Sequence, residues 1–245
     1  MKYEINEFTS LVRKGVDEFR MIEEGDHIVV GISGGKDSLV LLCAMKHLQS
    51  YYPKHFDLSA LTIEIGFPDM DFEPVADLCR ELDVPYTRIK TDIKEIVFDV
   101  RKESNPCSLC AKMRRGALND ALKSMGANKL ALGHHFDDAV ETFMMSLLFE
   151  GRLSCFKPVT YMSRADVWQI RPMVYCGEQK IANLAQQLAL PVVKNTCPED
   201  EESKRAEIKE LLRNMSNTYP DLRSKVFGAM QRLPLDGWKA EKERY

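Results

Sequence analysis

Apolar positions along the chain alternate between helical spacing and short continuous runs, and this alternation lays out the elements. Leu11, Val12, Val16 and Phe19 recur at helical spacing, which predicts an amphipathic helix over roughly residues 8–23, within an N-terminal helical element of 1–24. The run from His27 to Ile32 predicts a buried strand. It breaks at Gly34-Gly35 and gives way to a helix carrying Leu39 to Met45 and ending near Gln49. Leu58 to Ile65 predicts a second strand, Val75, Leu78, Cys79 and Leu82 a short helix, and Val84 to Ile89 a third strand. Beyond Cys107 a helix runs to about Met125, followed by a strand at Lys129 to Leu132. A helix from Asp137 is expected to bury Val140, Phe143, Met144, Leu147 and Leu148. Val167 to Ile170 is strand-like and residues ~178–189 are helical. Two tail helices are marked by Ile208, Leu211, Leu212 and Met215, and by Leu222, Val226, Phe227 and Met230.

Strands alternating with helices in this rhythm imply an α/β fold with a doubly wound, mostly parallel sheet, and place the ligand at the carboxyl ends of the strands. No repeat or long linker divides the chain. Residues 1–245 are therefore expected to form a single catalytic domain with helical ends, the second being an extension over 200–245.

Composition narrows the class. The chain has 245 residues, 44% hydrophobic and 29% charged, as a globular domain with a sizeable core requires. A net charge of −3 argues against indiscriminate nucleic-acid binding while leaving room for a local basic patch. The start, Met1 to Glu7, lacks signal-peptide features, and no apolar run approaches the roughly 20 residues that span a bilayer. A cytoplasmic protein without membrane contact is expected. In that compartment 7 cysteines point to metal chemistry, redox chemistry or core packing before disulfides.

The densest chemistry lies at Ser33-Gly34-Gly35-Lys36-Asp37-Ser38, between the first strand and its helix. A glycine turn there directs backbone N–H groups and the helix N-terminus at one point, which suits phosphate. Ser33 and Ser38 add hydroxyls. The stretch is neither a Walker A loop nor G-x-G-x-x-G. It resembles the PP-loop of the ATP pyrophosphatases, which cleave ATP between the α and β phosphates and adenylate a substrate carbonyl oxygen.

Cys107-Ser108-Leu109-Cys110 at a loop-to-helix junction sets two thiols on one side of a turn, and Cys197 follows a late strand beside Pro198. Three thiolates suit an iron–sulfur cluster with one iron left without a protein ligand. Zinc or a redox pair fits a lone C-x-x-C equally well, and Cys176 is a conceivable fourth ligand. Cys43 and Cys79 fall on apolar helix faces and read as core. Cys155 has no evident place.

Gly133-His134-His135 with Asp137 and Asp138 closes the fourth strand. The aspartates are candidates for Mg²⁺ or substrate, and Asp138 and Glu141 share a helical face. Acidic residues also simply favour a helix N-terminus. Lys112, Arg114 and Arg115 follow the C-x-x-C, with Arg114 or Arg115 expected to turn towards the substrate. Arg152, Lys157, Arg164 and Arg171 beside Tyr161 and Trp168 form a second candidate RNA surface.

Taken with Met21 to Asp26, Arg114-Arg115-Gly116, Ile170-Arg171-Pro172 and the tail from Tyr219-Pro220 to Gln231, these motifs are similar to those of the tRNA 2-thiocytidine synthetase family over roughly residues 10–235. The resemblance implies a PP-loop ATP pyrophosphatase fold of the adenine nucleotide alpha hydrolase-like type, bound ATP and Mg²⁺, and a [4Fe-4S] cluster on Cys107, Cys110 and Cys197. It implies adenylation of a tRNA cytidine O2 followed by sulfur transfer. In this reading Asp37, Asp137, Asp138 and Arg114 are catalytic, and Ser33, Gly34, Gly35, Lys36, Asp37, Ser38, Gly133 and His134 bind the nucleotide. A sulfur donor such as a cysteine desulfurase, and a homodimer, are the implied partners. A lysidine-synthetase-like ligase, a cluster-free persulfide enzyme and a non-catalytic iron–sulfur sensor are the alternatives. The cysteine trio disfavours the ligase.

Overall fold

The computed structural model describes residues 2–101, 106–194, 196–197, 204–233 and 238. Parts of the expected 200–245 extension, together with Asn105, Asn195 and Pro198, lie outside the described residues. The elements are α1 (Lys2–Glu18), β1 (Asp26–Gly31), α2 (Lys36–Gln49), β2 (Phe56–Glu64), α3 (Glu73–Glu81), β3 (Tyr86–Lys90), a π-helical segment (Glu95–Val100), α4 (Pro106–Ser124), β4 (Lys129–Ala131), α5 (Phe136–Glu150), β5 (Val159–Met162), β6 (Val167–Ile170), α6 (Glu178–Gln187), α7 (Lys204–Thr218) and α8 (Leu222–Arg232).

Six strands form one sheet in the order β3-β2-β1-β4-β6-β5, parallel except for the β5–β6 pair. The sheet explains the continuous apolar runs. Ile28 and Val30 face one core with α1, α2 and α6, while Val29 joins Leu61, Leu122 and Leu130 in a second core on the opposite face. Leu39 to Met45 of α2 are all buried, so this helix is apolar all round rather than striped. Strand order reverses between β1 and β4, and the crevice at their carboxyl ends is where an open α/β sheet takes its ligand.

Three expectations require correction. First, α1 spans Lys2–Glu18 rather than 8–23, because the chain turns at Arg20, whose φ is 48°, before Met21 and Ile22 enter the core. Second, Leu147 and Leu148 of α5 are 39% and 51% exposed. The buried face instead carries Asp137, Glu141 and Ser146 beside Ala139, Val140 and Phe143, because α7 and α8 pack against α5 with charged partners. Third, β5 pairs antiparallel with β6 at the sheet edge, an element that its mixed composition concealed.

Candidate active site

The turn after β1 is built from its own hydroxyls. Ser38 Oγ donates to Gly35 O at 2.8 Å, the Ser33 N–H donates to Ser38 Oγ at 3.2 Å, and the Gly35 N–H donates to Ser33 Oγ at 3.3 Å. No side chain caps α2, so the amides of its first turn point into the loop. Gly34 has φ +88°, and a Cβ there would lie 2.8 Å from the Val193 Cβ and 3.1 Å from the Phe72 ring. Glycine is required by both backbone and space.

Gly133, at the end of β4, acts through packing. A Cβ on it would meet the Asp37 carbonyl carbon and the Ser38 nitrogen at 3.1 Å, so its bareness lets β4 close on the start of α2. That closure brings His134 and His135 beside the loop. His134 lies 5.2 Å from the Phe156 ring, and its Nδ1 is buried without a hydrogen-bond partner among the described residues. Burial, and then the Arg171 charge, push its pKa down to about 4.

The three aspartates separate by their surroundings. Asp37 lies 3.2 Å from Lys36 Nζ through Oδ1, yet that oxygen is buried and accepts no hydrogen bond among the described residues. Asp137 is filled on both oxygens: Arg223 Nη1 donates to Oδ1 at 2.8 Å and the Glu178 N–H to Oδ2 at 2.7 Å. Asp138 accepts from Arg205 Nη1 at 2.8 Å and from the His135 N–H at 3.0 Å. Glu141, behind them, lies 3.8 Å from Arg205 and 3.9 Å from Arg223, and burial followed by the Asp138 charge pushes its pKa up to about 7. An orphaned carboxylate oxygen beside a lysine and an open helix N-terminus fits a phosphate-bound cation at Asp37. Asp137 and Asp138 are already occupied in joining the tail helices to α5.

Lys36 has a second partner, Glu178 Oε1 at 3.4 Å, which also binds Lys209 Nζ at 2.7 Å. Sequence reading singled out none of Glu178, Arg205, Lys209 and Arg223. The available signal was the i, i+4 spacing of Arg205 and Lys209 on a helix whose apolar face is Ile208 and Leu212.

The cysteines come from two segments. Cys107 and Cys110 lie in the first turn of α4, where Leu109, Cys110 and Met113 pack against the second core. Residues 191–194 lie against the loop, with the Val193 N–H donating to Gly34 O at 2.9 Å, and Thr196 Oγ1 donates to Pro68 O at 3.0 Å in the turn that follows β2. Cys197 follows directly. Burial raises the Cys110 pKa, the Arg114 guanidinium opposes the rise, and Cys197 and Cys107 each reinforce it, so both of those thiols lie within electrostatic reach of Cys110. Among the described residues no three His, Cys, Asp or Glu side chains are set to hold a metal ion. A cluster takes each thiolate on a separate iron, so its ligands need not converge on one ion, and of the three Cys110 is the one packed against the second core, Cys107 being exposed and Cys197 partly exposed.

Other expected residues fall elsewhere. Arg114 is half-buried beside Cys110, with burial pulling its pKa down, while Lys112 and Arg115 are exposed. Arg171 is not on an RNA-facing surface. It is 7% exposed, donates to Lys157 O and lies 4.8 Å over the Phe156 ring, and burial lowers its pKa to about 10. Tyr161 and Trp168 are exposed and 5.0 Å apart. Cys176 is fully buried in the first core, away from solvent, and burial raises its pKa, which removes it as a fourth ligand. Cys155 donates to Ala139 O at 3.4 Å and is pushed up to about 12 by burial. Cys43 and Cys79 are core, as expected.

The model of the PP-loop domain matches residues 5–215. The chain belongs to the PP-loop family. It is 38% identical over 225 residues to the tRNA-cytidine(32) 2-sulfurtransferase of Pelobacter propionicus, covering 91% of this chain and 84% of that one. It is 36% identical to the protein of the same name from Syntrophotalea carbinolica, covering 90% and 86%. Among solved structures, the U34-tRNA thiolase NcsA of Methanococcus maripaludis with its [4Fe-4S] cluster superposes with a TM-score of 0.76 at 26% identity, covering 94% of this chain and 78% of that one. The expected PP-loop fold and the family resemblance both stand.

Proposed function

We infer that this protein is an ATP-dependent, iron–sulfur-dependent tRNA sulfurtransferase that converts a cytidine to 2-thiocytidine, at position 32 by the name its relatives carry. The observation that supports the reading is that Val193, hydrogen-bonded to the PP-loop at Gly34, stands four residues before Cys197, a thiol within electrostatic reach of Cys110. One short segment thus ties an adenylating loop to a thiol trio.

The chemistry follows from what each part offers. The base carbonyl oxygen is a poor leaving group, so sulfur does not displace it unaided. The cytidine O2 attacks the α-phosphorus of ATP, an O–P bond forms, and the bond to the β-phosphate oxygen breaks with loss of pyrophosphate. Ser33, Gly34, Gly35 and Ser38 with the first amides of α2 would hold the phosphates, and Lys36 would neutralise the charge that develops on them. Asp37 would hold Mg²⁺ through its unpartnered oxygen. Gly133 lets the end of β4 close on the start of α2, and His134, neutral at working pH, would contact the nucleotide. Sulfur then bonds to C2, the C2–O2 bond breaks, and AMP departs with the base oxygen. Cys107, Cys110 and Cys197 would hold the [4Fe-4S] cluster, which would supply an iron without a protein ligand for sulfur binding. Arg114, beside Cys110, faces the substrate, and Lys112 and Arg115 meet tRNA phosphates. Asp137 and Asp138 act as positioning residues.

No described helix is long and apolar enough to cross a membrane. A cytoplasmic location, a cysteine desulfurase as sulfur source and a homodimeric state complete the proposal. Mass spectrometry of tRNA nucleosides from cells lacking the gene tests it. Loss of 2-thiocytidine, restored by the wild-type gene, is expected, and unchanged 2-thiocytidine would overturn it.

A further inference from the structure

One oxygen, Glu178 Oε1, is shared by two lysines from distant parts of the chain: Lys36 Nζ in the PP-loop at 3.4 Å and Lys209 Nζ in α7 at 2.7 Å. The backbone that carries this carboxylate is held in place. Its N–H is pinned by Asp137 Oδ2 at 2.7 Å, and Asp137 is pinned by Arg223. An anion therefore stands beside Lys36, the first residue of α2, whose N-terminus has no side-chain cap among the described residues. Burial pushes the Lys36 pKa down, but Asp37 and Glu178 together raise it. Burial pushes the Glu178 pKa up, but the bond to Lys209 and the charges around it hold it below the ordinary carboxylate value. Both groups are charged.

We propose that Glu178 is a stand-in anion, a positioning residue that occupies Lys36 while the PP-loop holds no phosphate and passes wholly to Lys209 when phosphate arrives. This rests on the reading of the loop as the ATP site and adds to it a control exerted by the tail. Two anions on one lysine repel, so phosphate entry needs a cation to take the displaced carboxylate, and Lys209 is already in contact with it. Pyrophosphate release is the reverse exchange, with Glu178 returning to Lys36 as the product leaves. The tail helix α7 thereby sets how tightly the loop holds phosphate.

Titration calorimetry with inorganic pyrophosphate and Mg²⁺ on the full chain tests this. Glu178→Gln removes the competitor and is expected to tighten binding roughly two- to fivefold, the scale of a half-exposed ion pair. Lys209→Met removes the acceptor and is expected to weaken binding by a similar factor. In the double variant Lys209→Met adds nothing to Glu178→Gln, because its effect runs through Glu178. Weakening by both single variants, as mere scaffolding would give, overturns the proposal. Additive effects, as a simple field from two separate charges would give, overturn it as well. Lys36→Ala is the control. If it binds pyrophosphate as the wild type does, the reading of the loop fails first, and the stand-in role falls with it.

Discussion

The Val193 N–H bonds to the Gly34 carbonyl at 2.9 Å, so the segment that ends at Cys197 begins on the PP-loop itself. Gly34 sits at φ +88° with Val193 packed against the space a Cβ would fill. The two residues form a seam.

Asp37 and Asp137 are expected to fail in different ways. Asp37→Asn keeps the fold and loses adenylation, since its Oδ1 accepts no hydrogen bond among the described residues and its charge contact is with the neighbouring, half-buried Lys36. Asp137→Ala strips Arg223 and the Glu178 N–H of a buried acceptor and should cost about 2–4 kcal/mol of stability. Denaturant unfolding and pyrophosphate release from ATP, measured on both variants, separate the two roles.

Glu141 gives a pH signature. Its folded pKa, about 7, lies above the ordinary 4.5, so the folded state binds its proton more tightly than the unfolded chain. The resulting stabilisation is fully present below pH 4.5 and is lost as pH rises through 7. Glu141→Gln should therefore match the wild type near pH 4 and exceed it by on the order of 2–3 kcal/mol near pH 8. Denaturant titrations across that range would show the gap opening, and a constant gap would contradict the assignment.

Lys112 and Arg115 lie exposed on the helix that carries Cys107 and Cys110. Charge reversal at both should weaken tRNA binding at least tenfold and flatten its salt dependence by about two phosphate contacts, leaving ATP affinity unchanged. Filter binding over a salt series reads both quantities.

Much of this was legible in the chain because the signals were local. The PP-loop, the C-x-x-C and each strand or helix signal occupy short stretches of chain, and the doubly wound, mostly parallel class of the sheet followed from their alternation, while the strand order did not. What was not legible depends on long-range pairing. Asp137 and Asp138 read as catalytic because they stand at a strand end. Their partners Arg205 and Arg223 come from helices far along the chain, and only packing shows that these carboxylates are already filled. Arg171 read as an RNA contact from its basic neighbours, yet burial over the Phe156 ring turns it into a clamp on the loop before β5. The apolar periodicity of α5 continues through Leu147 and Leu148, which are exposed, because periodicity does not reveal where the covering helices end. Glu178 carried no motif at all.

The central claim is that thiols from two distant segments share one [4Fe-4S] cluster beside the PP-loop. Anaerobic iron and sulfide analysis of the reconstituted protein, with electron paramagnetic resonance, tests it on Cys197→Ser against Cys155→Ala and Cys176→Ala. The account predicts that Cys197→Ser loses both the cluster and tRNA thiolation while still binding ATP, and that the other two variants keep the cluster. A Cys197→Ser protein with a full cluster and undiminished thiolation would contradict it.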